Sequence, residues 1–170
     1  MATITVGSGN TMRPYRKCRL VHYPESASQS FRVGDVLVLD TVAGKQMKCK
    51  KAGADPIPVL GVAADSASGV EGTRIGVYVA TAQSEFRAMT DSSTTLPNTA
   101  IGTQFGIVED STNFVWRVDQ SETTNKRVVI TEVPNLNGNG TYGDTNAEVV
   151  FRFIETDSGS TSPHYVPYGN

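Results

Sequence analysis

The stretch Arg74-Ile75-Gly76-Val77-Tyr78-Val79-Ala80-Thr81-Ala82 decides the fold class of this 170-residue chain. Ile75, Val77 and Val79 alternate with Gly76, Tyr78 and Ala80. A period of two puts successive side chains on opposite faces of a strand. The same pattern recurs on both sides of this stretch. Upstream, Val36-Leu37-Val38-Leu39-Asp40 follows the turn Val33-Gly34-Asp35 and predicts a strand buried on both faces. Met47, Cys49 and Lys51 alternate with Lys48 and Lys50, as in a half-exposed strand, before the loop Gly53-Ala54-Asp55-Pro56. Ile57 to Ala64 reads as a strand whose start Pro58 keeps off a central position. Downstream, Arg87 to Asn98 reads as a Ser/Thr-rich connection. Strand patterns then resume at Ile101 to Ile107, Phe114 to Val118, Arg127 to Val133 and Ala147 to Glu155. In the last of these Val149, Phe151 and Phe153 face one way. No segment signals a helix of three turns.

Composition agrees. Hydrophobic residues make up 38% of the chain and charged residues only 19%, with many Val and few Leu. β-branched side chains fit a pleated surface and lose rotamer freedom in a helix. Coiled coil, helical bundle, collagen and disulfide scaffold are excluded on these grounds. The predicted class is all-β, built from small β-barrel or sandwich-like units with an extended N-terminal arm and a C-terminal tail. The expected divisions are an arm over 1–30, a first β-domain over 31–86, a second over 87–155 and a tail over 156–170. The arm has no sustained period, and Pro14 and Pro24 bias their neighbours to extended backbone. The tail ends in the aromatic run Pro163-His164-Tyr165-Val166-Pro167-Tyr168 and is expected to dock. Asn135 to Asn146 is expected to be a flexible loop.

The N-terminal segment is polar, without the apolar region of a signal peptide, and no apolar run reaches the roughly 20 residues of a membrane helix. The expected setting is therefore a cytosol, with Cys18 and Cys49 as reduced structural thiols. The net charge of −2 hides an asymmetry. Residues 1–51 carry nine basic and three acidic side chains, while the remainder carries six basic and 14 acidic. Either the two parts face each other within the fold or between copies, or the basic part meets an outside partner. Nucleic acid is not the expected partner, because the acidic bulk repels phosphates.

No nucleophile-base-orienter arrangement is visible. His22 and His164 lie near opposite ends of the chain, and G-x-S-x-G, H-E-x-x-H, C-x-x-C and Walker patterns are absent. Gly138-Asn139-Gly140 has no following Lys and reads as a hairpin loop rather than a phosphate cradle. Glu109, Asp110 and Asp157 lack the spacing of a dedicated calcium site. Trp116 is read as a core residue, with a carbohydrate-stacking platform as the alternative. No enzyme activity and no cofactor or metal are expected.

Three segments carry a family resemblance. Val33-Gly34-Asp35-Val36, Leu60-Gly61-Val62-Ala63-Ala64 and Val77-Tyr78-Val79-Ala80-Thr81-Ala82 with Glu85-Phe86 resemble the head decoration (capsid cement) proteins of tailed bacteriophages. Trp116-Arg117-Val118-Asp119 and Val129-Ile130-Thr131-Glu132 look like the companion β-domain of that group. The resemblance spans about Phe31 to Ile154. It implies a non-enzymatic virion protein, made in the host cytoplasm and added to the outside of an expanded capsid as a homodimer or homotrimer. The implied partner is the major capsid protein. In that setting Arg13, Arg16, Lys17 and Arg19 are the expected charged contacts, and Tyr15, Tyr23, His164, Tyr165 and Tyr168 the expected anchors. The alternatives are a tail, fibre or baseplate component, and a carbohydrate-binding β-sandwich.

Overall fold

The computed structural model describes residues 11–42, 47–56, 58–91, 94–134 and 146–154. Over these residues the chain is all-β, with eleven strands in two antiparallel sheets. The strands are β1 (Arg13–Arg16), β2 (Arg19–Pro24), β3 (Val36–Leu39), β4 (Cys49–Lys51), β5 (Val59–Ala63), β6 (Arg74–Val79), β7 (Glu85–Met89), β8 (Gln104–Asp110), β9 (Val115–Asp119), β10 (Val128–Glu132) and β11 (Glu148–Phe153). The larger sheet has the order β1-β7-β11-β10-β8-β9 and the smaller β2-β6-β5-β3-β4. The arrangement is sandwich-like, and neither sheet closes into a barrel.

The small sheet is a middle layer. The alternation read in β6 sorts as expected, with Ile75, Val77 and Val79 on one face and Tyr78 on the other. β3 is apolar on both sides: Val36 and Val38 face the large sheet, and Leu37 and Leu39 face away. All of β5 is buried. A bulge interrupts its register, since Leu37 pairs with Gly61 but Val38 pairs with Val59. The extra residue lets Val59 and Val62 face the same core while Leu60 and Ala63 face the other. Gly61 sits where the backbones touch: a Cβ there would lie 2.2 Å from the carbonyl oxygen of Tyr78. Only glycine fits that approach.

The main core lies between the sheets and draws on both halves of the chain. Phe86, Phe151 and Phe153 form an aromatic cluster with ring centroids 5.3 to 6.1 Å apart. Val36, Val59, Val62 and Ala80 of the small-sheet half pack in the same core. The boundary expected between residues 86 and 87 therefore falls inside β7, and the strands on its two sides share one core. A second core covers the far side of the small sheet, where Phe31 and Ala67 from connecting segments close over Leu37, Leu60, Ile75 and Val77.

The extended arm was expected over residues 1–30, of which 11–30 are described. The backbone is extended, but it is built into both sheets. β1 pairs with β7 and β2 with β6, so residues 13–24 run antiparallel beside 74–87 as one long ribbon. The ribbon passes from one sheet to the other at Lys17-Cys18 and at Ala80–Ser84. The two crossings touch, with the Ser84 hydroxyl donating to the Lys17 carbonyl at 3.4 Å and to the Val79 carbonyl at 3.0 Å. Lys17 takes the left-handed conformation, φ 52°, to make the step. Met12 is 1% exposed, and its carbonyl would meet a Cβ on Gly34 at 2.9 Å, where φ is +92°. Glu25 is fully buried and accepts from the backbone N–H of Ser68 and Gly69 and from the Ser68 hydroxyl. A buried carboxylate needs such donors. These ties fix the 68–69 loop over the second core.

Candidate interaction surface

The face of the large sheet turned away from the main core mixes charged side chains with the fully buried Val150. In β7, Phe86 and Ala88 point inward while Glu85, Arg87 and Met89 point out. In β11, Glu148, Val150 and Arg152 lie opposite the inward Val149, Phe151 and Phe153. β1 lies along this edge and adds Arg13, Tyr15 and Arg16. Two guanidinium groups lie over the ring of Tyr15, with the Arg87 centre 4.0 Å and the Arg16 centre 4.4 Å from its centroid. Arg16 also donates to the Tyr15 hydroxyl at 2.9 Å and to Glu132 at 2.8 Å, and lies 3.5 Å from Glu85. Arg13 pairs with Glu148, whose side chain is mostly buried, and Arg87 stands 3.7 Å from the same carboxylate. The cluster joins stacked aromatic-guanidinium contacts to alternating charges on a rigid backbone.

This placement resolves the charge asymmetry. Nine ion pairs occur among the described residues. Five of them join a base of residues 1–51 to an acid of the remainder: Arg13–Glu148, Arg16–Glu85, Arg16–Glu132, Lys48–Glu71 and Lys51–Glu109. The two parts face each other within one fold. Partial burial pulls the Lys51 ammonium down, but Glu109 and Asp35 outweigh it and hold it charged.

The expected contact residues do not form one patch. Arg13, Tyr15 and Arg16 come together on the large sheet. Lys17 is exposed in the crossing, and Arg19 and Tyr23 lie on β2 in the small sheet, Tyr23 packing partly into the second core. His164, Tyr165 and Tyr168 lie outside the described residues, as do residues 135–145 and Asp157. Arg87, Glu85, Glu132 and Glu148 complete the cluster and were not singled out from sequence. Their signal is the polar phase of the alternation in EFRAM and EVVFRF, which the inward aromatics overshadow.

Other features bear on chemistry. Trp116 is 2% exposed and belongs to the main core, so it is no stacking platform. A cleft of about 360 Å³ beside it is lined by Asp55, Glu109, Asp119 and Glu122. Glu109 is bound by Lys51, while Asp119 and Glu122 accept N–H groups of their own turns. Asp110 likewise caps its hairpin, and the Asn113 amide and backbone hold its carboxyl down at about 2. Burial pushes the Cys18 thiol up and the Cys49 thiol up to about 11, so neither is a ready nucleophile at neutral pH. Among the described residues no group of three His, Cys, Asp or Glu is placed to hold a metal ion, and no helix is long and apolar enough to cross a membrane.

A scan of family models, a search of curated proteins and a search of solved structures each found no match to this chain.

Proposed function

We propose that this chain is a non-enzymatic structural protein of a virion, which decorates the outside of a phage capsid and stabilises it by bridging capsid subunits. The observation that carries the reading is the Tyr15 ring with the guanidinium groups of both Arg16 and Arg87 over it, on the face of the large sheet turned away from the main core. Tyr and Arg on a rigid support are the side chains that most often anchor protein interfaces. The segments behind the family resemblance add support, since β3, β5 and β6 are consecutive neighbours in the small sheet. The docking element is a sheet face rather than a free basic arm, because Arg13 and Arg16 already hold carboxylates of their own chain. Exposed ion pairs contribute only about 0–1 kcal/mol each, so they orient the approach, while a buried Tyr anchor contributes about 1–3 kcal/mol. Contacts made to several shell subunits at once multiply through effective concentration. A protein that binds only the assembled shell then stabilises it by linkage.

The test is cosedimentation with expanded, undecorated shells of the parent particle, together with their melting temperature. The chain is expected to bind at about micromolar concentration and raise the melting point, and Tyr15→Ala to weaken binding at least about tenfold. Absence of binding by a folded chain at that concentration overturns the reading.

A further inference from the structure

Three lysines form ion pairs among the described residues, and only Lys51 lies against two carboxylates. Its ammonium donates to Glu109 Oε1 and stands 3.6 Å from Asp35 Oδ2. The three side chains meet where the small sheet approaches the large one. Asp35 ends the turn before β3, Lys51 closes β4, and Glu109 lies on β8 of the large sheet.

The backbone holds the first two in place. Leu37 pairs with Lys51, and the Ala52 N–H donates to the Val36 carbonyl at 2.9 Å. The Asp35 carbonyl accepts from the Ala63 N–H at 2.9 Å, and the Arg32 N–H donates to Asp35 Oδ2 at 2.8 Å. The Asp35 side chain is only 3% exposed, against 27% for Lys51 and 28% for Glu109. Burial pushes the Asp35 carboxyl up, and the Arg32 N–H and Lys51 only partly offset it. Amide formation needs a carboxyl shielded from water, an amine beside it and a group that carries protons between them. Asp35, Lys51 and Glu109 supply these in turn.

We propose that the Lys51 and Asp35 side chains join spontaneously in an intramolecular isopeptide bond, with Glu109 as the catalytic residue. Lys51 Nζ bonds to Asp35 Cγ, and the Cγ–Oδ1 bond breaks. Two of the three ammonium protons pass by way of Glu109 to Oδ1, which leaves as water. The third stays on the amide nitrogen, and Glu109 ends as the carboxylate it began as. Oδ2, held by the Arg32 N–H, becomes the amide oxygen. The balance needs no oxidant or co-reactant. Condensation is unfavourable in open water, but the burial of Asp35 excludes water and the fixed approach raises the effective concentration of the amine. The cleft beside Trp116, which Glu109 lines, gives the released water an exit. The bond closes residues 35–51 into a covalent ring across the β3–β4 pair. The inference stands without the capsid reading, because it is read from a mass and not from binding.

Mass spectrometry of the intact, denatured chain tests it. The expected mass is about 18 Da, one water, below that of the sequence. After digestion, the peptide carrying Asp35 is expected to be joined to the peptide carrying Lys51. Lys51→Arg keeps the positive charge but offers no amine, and Glu109→Gln keeps both reacting groups but carries no proton. Both are expected at their full sequence mass. The parent chain decides the matter even where a variant does not fold. A folded parent at full sequence mass after prolonged incubation at neutral pH overturns the inference. So does a water loss that maps to other residues, or a folded Lys51→Arg or Glu109→Gln that still carries the linkage.

Discussion

The two sheets are built from the same backbone and differ in how many hydrophobic cores they border. β7 of the large sheet alternates, Phe86 and Ala88 inward and Glu85, Arg87 and Met89 outward. β5 of the small sheet buries every residue. The large sheet carries the charged, aromatic cluster on the face turned away from the main core, although its strand β11 is buried at every position but Arg152. The small sheet is a middle layer, with one core against the large sheet and a second under the Phe31 and Ala67 segments. A strand buried on both faces must be apolar throughout, whereas a strand buried on one face has every second position available for recognition. That is why the polar cluster of this molecule lies on the large sheet.

Truncation offers the hardest way to break this comparison. Deleting residues 1–25 removes an edge strand from each sheet, the buried Met12 and the Glu25 carboxylate that holds the 68–69 loop. The expected outcome is loss of the cooperative melting transition and of the near-ultraviolet circular dichroism signal. A truncated chain that melts cooperatively near the full-length temperature contradicts the ribbon described above.

The two cores come next. Phe151→Ala in the main core is expected to cost about 3–5 kcal/mol, and Leu60→Ala in the second core about 2–5 kcal/mol. Because the cores share the small sheet, both losses should appear in a single denaturant transition with the same m-value. Two separable transitions, each sensitive to one substitution, would mean the layers fold independently.

A smaller effect is expected at Asp40, which ties Ser26, just after β2, to β3 and β4. The Ser26 hydroxyl and the Val42 N–H, with help from Lys50, hold its carboxyl down at about 2 against burial. A folded value below the unfolded one, roughly 3.9, stabilises the protein above that pH, and the gain is lost as pH falls towards 2. Asp40→Asn is expected to cost about 2 kcal/mol at neutral pH and to approach the parent's stability as pH drops from about 5 to 2. Urea titrations across that range check it. A constant gap would assign the loss to packing rather than to charge.

Eight of the eleven strands were legible as patterns, and the three that were not share a cause. β7 reads Glu-Phe-Arg-Ala-Met, with weak intrinsic preference for a strand, and only two of its side chains face the core. It is held in place by β1 and β11 on its two sides. β1 and β2 carry prolines and charges that read as an arm, and their pairing partners lie 50 or more residues away. Local pattern does not carry such information, because the stabilising partner is remote in the chain. The candidate surface divides in the same way. Arg13, Tyr15 and Arg16 stand out as basic and aromatic residues in a row, whereas Glu148 becomes their neighbour only when β11 lies beside β7.

Alternation and β-branched composition were enough to decide the all-β class, the buried character of β3 and β5, and the inward phase of β6 and β11. These follow from side-chain direction along one strand. Tertiary pairing decided that residues 13–24 belong to both sheets, that the halves share a core, and that the basic segment neutralises the acidic remainder. Those outcomes depend on contacts between segments far apart in sequence, whose free energy exists only once the sheets have assembled.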